Sequence, residues 1–136
     1  MTGELADELT ALRGRPPGGT TADGAGDDAF LAALELHVPH ILDDFRPDLA
    51  VYLAGADPWR EDRFGRLAMS KEGLAERDRL VLDACRDAGV PIAVAMAGGY
   101  ARDSEDTVDI HVRTIAACAR MWAQVHDAPA AVTAAR

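Results

Sequence analysis

The sequence predicts an α/β fold built on a parallel sheet, and three observations predict it. Two short apolar runs, Leu49-Ala50-Val51-Tyr52-Leu53 and Ile92-Ala93-Val94-Ala95-Met96, read as strands. Each ends in a turn of small residues, Ala54-Gly55-Ala56-Asp57 and Ala97-Gly98-Gly99-Tyr100. The stretch between the runs has helical periodicity. Strand, helix, strand makes the two strands parallel and adjacent, with their carboxyl ends on one edge, where open α/β folds hold their ligands. Asp57 and Tyr100 are therefore candidates for one site, a carboxylate beside a phenol.

The elements follow in order. Residues 1–26 form a flexible N-terminal segment: a polar helical candidate over Glu4–Arg13, then Gly14 to Gly26, whose glycine and proline content marks a linker. Asp27 or Asp28 caps a helix whose buried side is Phe30, Leu31, Leu34, Ile41, Leu42 and Phe45. Pro39 falls inside that pattern and predicts a kink or a break into two helices. Arg46-Pro47-Asp48 leads into the first strand. Pro58 to Met69 shows no clean period and reads as a loop on the ligand side of the sheet.

Ser70 is a good N-cap, and Glu72 suits the positive end of the helix dipole. Leu74, Val81, Ala84, Cys85 and Ala88 form the buried stripe of the crossover helix, which Gly89 and Pro91 terminate. The last helix starts near Asp103 or Ser104 and runs to about Val125, with Val108, Val112, Ile115, Ala119 and Trp122 as its apolar stripe. Residues 27–126 thus form the folded unit, and 127–136 a mobile, alanine-rich tail.

Composition excludes several classes. With 136 residues the chain holds one domain at most, and an apolar share of 49% is ample for a core. A net charge of −9 argues against gripping a phosphate backbone, so no nucleic-acid partner is expected. No apolar run approaches the ~20 residues that span a bilayer, and Met1 to Thr10 carries acids unlike a secretory signal. A cytoplasmic location is the expectation. Cys85 and Cys118 lie on apolar helical faces, far from the close pairs of a thiolate zinc site, and read as small core residues.

Locally, Asp57 before Pro58 reads either as a turn cap or as a metal ligand, and Tyr100 either as a rim residue or as a hydrogen-bond donor. The wider pattern chooses. Phe45-Arg46-Pro47-Asp48-Leu49, Ala54-Gly55-Ala56-Asp57-Pro58, Gly65-Arg66-Leu67, Glu72-Gly73-Leu74, Arg77-Asp78, Gly89-Val90-Pro91, Gly98-Gly99-Tyr100-Ala101-Arg102 and Glu105-Asp106-Thr107-Val108 with His111 follow one another in a familiar order. From Gly26 to His111 the chain resembles the C-terminal third of the zinc-dependent histone deacetylase family, including its acetoin-utilisation and acetylpolyamine amidohydrolase branches. Upstream of Gly24 no resemblance is evident.

The resemblance implies a partial parallel-sheet sandwich, the C-terminal fragment of an arginase/deacetylase-type fold. It places the family's zinc-ligating aspartate on Asp57. It places on Tyr100 the tyrosine that donates to the acetyl carbonyl and to the oxyanion formed from it. Ala97 stands where many members have another glycine.

The larger departure is that the family's Asp-x-His pair and upstream tandem histidines have no counterpart. The histidines are His37, His40, His111 and His126. Asp109-Ile110-His111 imitates the missing pair, but on a helix residues two apart point to different sides.

One carboxylate does not make a catalytic zinc site, which takes three protein ligands. The expectation is a truncated or split amidohydrolase for acetyl-lysine or acetylpolyamine amides that neither binds zinc nor turns over alone. The alternatives are a subunit completed by a complementing chain and a non-catalytic α/β binding module.

Overall fold

The computed structural model describes residues 23–126. The helix expected over Glu4–Arg13, most of the linker and the tail from Asp127 lie outside the described residues. Within them the elements are α1 (Asp27–Phe45), β1 (Ala50–Gly55), α2 (Lys71–Asp87), β2 (Ile92–Ala97) and α3 (Ser104–His126). The strands pair in parallel, from Ala50 opposite Ile92 to Gly55 opposite Ala97. The α/β reading and the shared carboxyl edge both hold. Pairing carries β1 on through Ala54 and Gly55, beyond the apolar run that announced it.

Helix α1 differs from expectation at two points. It is one continuous helix with Pro39 inside it, so the exposed face absorbs the lost amide without a break. Its N-cap is Gly26, with no side-chain cap. Asp27 instead turns to α2, where its carboxylate accepts the Ser70 N–H at 2.8 Å and the Ser70 hydroxyl at 2.5 Å. Ser70 Oγ in turn accepts the Gly73 N–H at 2.9 Å, the cap the sequence predicts. Gly89, at φ +68°, supplies the left-handed stop after α2.

Helices α2 and α3 lie over the sheet face that carries Tyr52 and Val94, leaving Met96 on the same face exposed, and α1 packs on α2. The opposite face, with Val51 and Leu53 beside Ala93 and Ala95, is exposed. The apolar core gathers beyond the carboxyl ends of the strands: Ala56, Trp59, Met69, Leu74, Ala101 and Ile110, with Phe30, Leu31 and Leu67 against it.

Helix α3 is rotated from the expected orientation. Val108, Val112, Ile115 and Trp122 are exposed, and Ile110 and Thr114 are the buried positions. The cause is polar: Thr114 donates to the buried carboxylate of Asp78, which holds that side of α3 against α2. Ile41 and Phe45 of α1 are likewise exposed rather than buried. Cys85 is buried as expected, which raises its thiol pKa, whereas Cys118 is only partly covered.

Candidate functional site

Asp57 follows β1 directly, and Gly98 follows β2. The Ala56 N–H donates to the carbonyls of Ala97 at 3.1 Å and Gly98 at 3.2 Å, pinning the two tips together. The Asp57 carboxylate rests on both tips. A Cβ at Gly55 or at Gly98 would collide with its Oδ1. The side chain is exposed and accepts no hydrogen bond among the described residues. The loop that follows is capped by Asp62, whose Oδ1 accepts the N–H groups of Phe64 and Gly65.

Tyr100 sits one residue beyond Gly99. Gly98 (φ +48°) and Gly99 (φ +136°) adopt backbone that a side chain would strain. The Tyr100 ring is exposed and meets Phe64 edge-on, 5.3 Å between centroids. Its hydroxyl is free of partners among the described residues.

The stretch after Asp57 carries more structure than its lack of period suggested. Trp59 and Met69 bridge in parallel and are buried, while Asp62 bridges to Ala101. Asp62 Oδ1 accepts the N–H groups of Phe64 (2.8 Å) and Gly65 (2.7 Å), and its Oδ2 accepts the Tyr100 N–H at 2.5 Å. Desolvation raises the Asp62 pKa, but these backbone donors and nearby Arg63 outweigh it and hold the group below its ordinary range. The sequence held a signal for this turn: aspartate favours an Asx-turn, in which its side chain accepts from the backbone two residues on, here Phe64.

A buried polar knot lies beneath. Asp78, almost wholly buried, accepts from the Tyr52 hydroxyl at 2.6 Å, from Arg77 Nε and Nη2 at 2.9 and 2.7 Å, and from Thr114. Arg77 Nη1 donates to the Gly55 carbonyl at 2.6 Å, on the turn that bears Asp57. Burial pushes the Tyr52 phenol well above its usual range; Arg77 opposes this and Asp78 adds to it. The knot ties β1, α2 and α3 together, and hydrophobic periodicity alone gives no sign of it.

His37 and His40 lie in α1. His111 lies within α3, its Nδ1 buried and without a partner among the described residues, and Asp109 is engaged by Lys71 and Arg113. His126 stacks on Trp122. No group of three His, Cys, Asp or Glu side chains suited to a metal ion occurs among the described residues. No helix among them is long and apolar enough to cross a membrane.

A parallel β-α-β unit that carries a carboxylate and a phenol just beyond its two strand tips defines an α/β protein. The histone deacetylase domain model matches residues 9–115, reaching upstream of the resemblance read from the sequence. The chain belongs to the histone deacetylase domain family.

Among its relatives, an uncharacterized protein of Picosynechococcus sp. is 44% identical over 89 residues, covering 65% of this chain and 30% of the relative. Histone deacetylase 2 of Arabidopsis thaliana is 31% identical over 81 residues, 60% of this chain and 21% of that one. The histone deacetylase-like amidohydrolase of Pseudomonas aeruginosa is 33% identical over 78 residues, 57% of this chain and 20% of that one. The chain thus spans less than a third of the curated relatives it matches.

Proposed function

We propose that the chain is the C-terminal part of a zinc-dependent amidohydrolase that hydrolyses an acetylated amine, acetyl-lysine or an acetylpolyamine. Tyr100 is its catalytic donor and Asp57 one ligand of its metal. The observation that carries this reading is the Asp57 carboxylate, set on the tips of two parallel strands and left without a hydrogen bond among the described residues. A carboxylate with no cap or ion pair to make among the described residues is available for a cation.

The described residues do not fit a zinc ion by themselves, since they offer no group of three ligating side chains. No step is therefore assigned to metal in this chain, and the other ligands come from outside the described residues. What the chain itself supplies is the phenol. A preplaced O–H donor aimed at the amide carbonyl stabilises negative charge as it develops on that oxygen, and such a donor is worth about 10²–10³ in kcat.

Two exposed apolar surfaces favour a second form of the same reading, in which a complementing chain completes the domain. The Val51–Leu53 face of the sheet and the Val108, Val112, Ile115 and Trp122 stripe of α3 are both uncovered among the described residues. Apolar area of this kind marks an interaction surface.

The test is an acetyl-lysine and acetylpolyamine hydrolysis assay with zinc. It is run on the purified chain and on the chain co-expressed with the part of the Picosynechococcus relative that the match leaves out. Chelator-sensitive turnover only in the co-expressed sample supports the proposal. Turnover by the chain alone contradicts the split site, and absence of turnover in both contradicts the function.

A further inference from the structure

Tyr100 stands on a turn that no regular element holds. Its two predecessors are glycines at positive φ, the most permissive backbone available. A donor that works in a transition state must nevertheless be held to within about 0.5 Å. Something outside the turn must hold it.

The loop after β1 does so. Both backbone groups of Tyr100 are taken up by consecutive residues of that loop. Asp62 Oδ2 accepts the N–H at 2.5 Å, while the Arg63 N–H and Nε donate to the carbonyl at 3.1 and 3.2 Å. The next residue, Phe64, braces the ring edge-on at an interplanar angle of 82°. The same loop also sits on the Asp57 backbone, since a Cβ at Gly65 would collide with the Asp57 carbonyl. One loop therefore grips both candidate site residues, and the Asp62 carboxylate joins its two halves.

We propose that Asp62 is a positioning residue, whose carboxylate sets the Tyr100 backbone and so aims the phenol relative to Asp57. The inference rests on reading Tyr100 as the carbonyl-directed donor. Charge and symmetry are both essential to the role. Oδ1 serves Phe64 and Gly65 while Oδ2 serves Tyr100, so both oxygens must accept. An asparagine has one accepting oxygen; its amide nitrogen would face an N–H on one side or the other.

The experiment compares the full 136-residue chain with Asp62→Asn and Asp62→Glu by backbone amide exchange and by the Phe64–Tyr100 ring contacts in NMR spectra. Loss of a charge-assisted hydrogen bond should speed exchange at Tyr100 by about 10- to 100-fold. The ring contacts should weaken, Val81 and Leu82 in α2 should keep wild-type exchange, and Asp62→Glu should recover part of the protection. Unchanged exchange at Tyr100, or equal acceleration through α2, overturns the inference. Asp62→Ser serves in the same measurement should Asp62→Asn fail to fold.

In a complemented protein that turns over acetyl-lysine, Asp62→Asn should lower kcat at unchanged KM, and a change confined to KM contradicts positioning. If the wild type never turns over, the functional reading fails while the exchange measurement still decides whether Asp62 holds Tyr100.

Discussion

Asp57 Oδ1 occupies the space that a side chain at Gly98 would need, so the acidic residue after one strand is seated against the glycine that follows the next. The two positions should therefore be coupled. Gly98→Ala meets both this collision and a φ of +48°. We expect it to lower unfolding free energy by at least ~1–2 kcal/mol. In an Asp57→Ala background the collision vanishes and the cost should shrink to the backbone part. Urea denaturation of the four proteins measures the coupling, and strict additivity would contradict the geometry.

Arg77 and Asp78 should be far less tolerant. Arg77→Met leaves the buried Asp78 carboxylate with only two hydroxyl donors, Tyr52 and Thr114, and strips the Gly55 carbonyl of its partner. Breaking a buried pair from one side costs about 3–5 kcal/mol. Against a total of about 5–15 kcal/mol for a typical domain, this is enough to unfold a marginal chain. Thermal denaturation followed by circular dichroism should show a large drop or no transition, and a shift of a degree or two would be inconsistent with the knot.

Pro39 supplies a prediction of opposite sign. It lies exposed within the continuous helix α1 and leaves the Glu35 carbonyl without its helical donor. Pro39→Ala should stabilise the protein by about 1–3 kcal/mol. A thermal midpoint unchanged or lowered would mean that the ring contributes packing along the groove it shares with Leu42, Pro47 and Ala84.

These residues also show how far the sequence could be read. Strand, helix, strand, the Ser70 cap and the Gly89 stop were all legible, because each depends on a few neighbouring residues and on short-range backbone chemistry. Pro39 does not divide α1 into two helices, one of the two outcomes the sequence allows, because the helix lies on the surface, where one missing amide bond costs less than interrupting α1. The buried side of α3 does not follow its apolar stripe, because apolar periodicity ranks Val108 and Val112 above Thr114. The buried Asp78 carboxylate decides otherwise, through contacts 26 and 36 residues away in sequence. Asp57 and Tyr100 could be nominated from the strand tips, but Asp62, which ties the loop to Tyr100, depends on a contact across 38 residues.

Acid should loosen the Tyr100 turn before it unfolds the whole molecule. Asp62 is held below its ordinary pKa in the fold despite the opposing desolvation. Its contribution is therefore present above the unfolded value of about 4 and is lost as pH falls through the lower, folded value. Stability of the wild type minus that of Asp62→Asn, measured by denaturation between about pH 6 and pH 3, should shrink toward the acid end. A difference that grows on acidification would contradict the sign. Much of the Asp62 environment is wet, so the effect on global stability should be modest and the effect on Tyr100 amide exchange larger.

The most direct measurement is the turnover of acetyl-lysine by the complemented protein with Tyr100→Phe and, separately, Asp57→Asn. Removing one hydroxyl oxygen from Tyr100 should cut kcat by about 10²–10³ with the fold unchanged, and Asp57→Asn should abolish zinc-dependent turnover. Full activity in both variants would show that the two strand tips carry no chemistry.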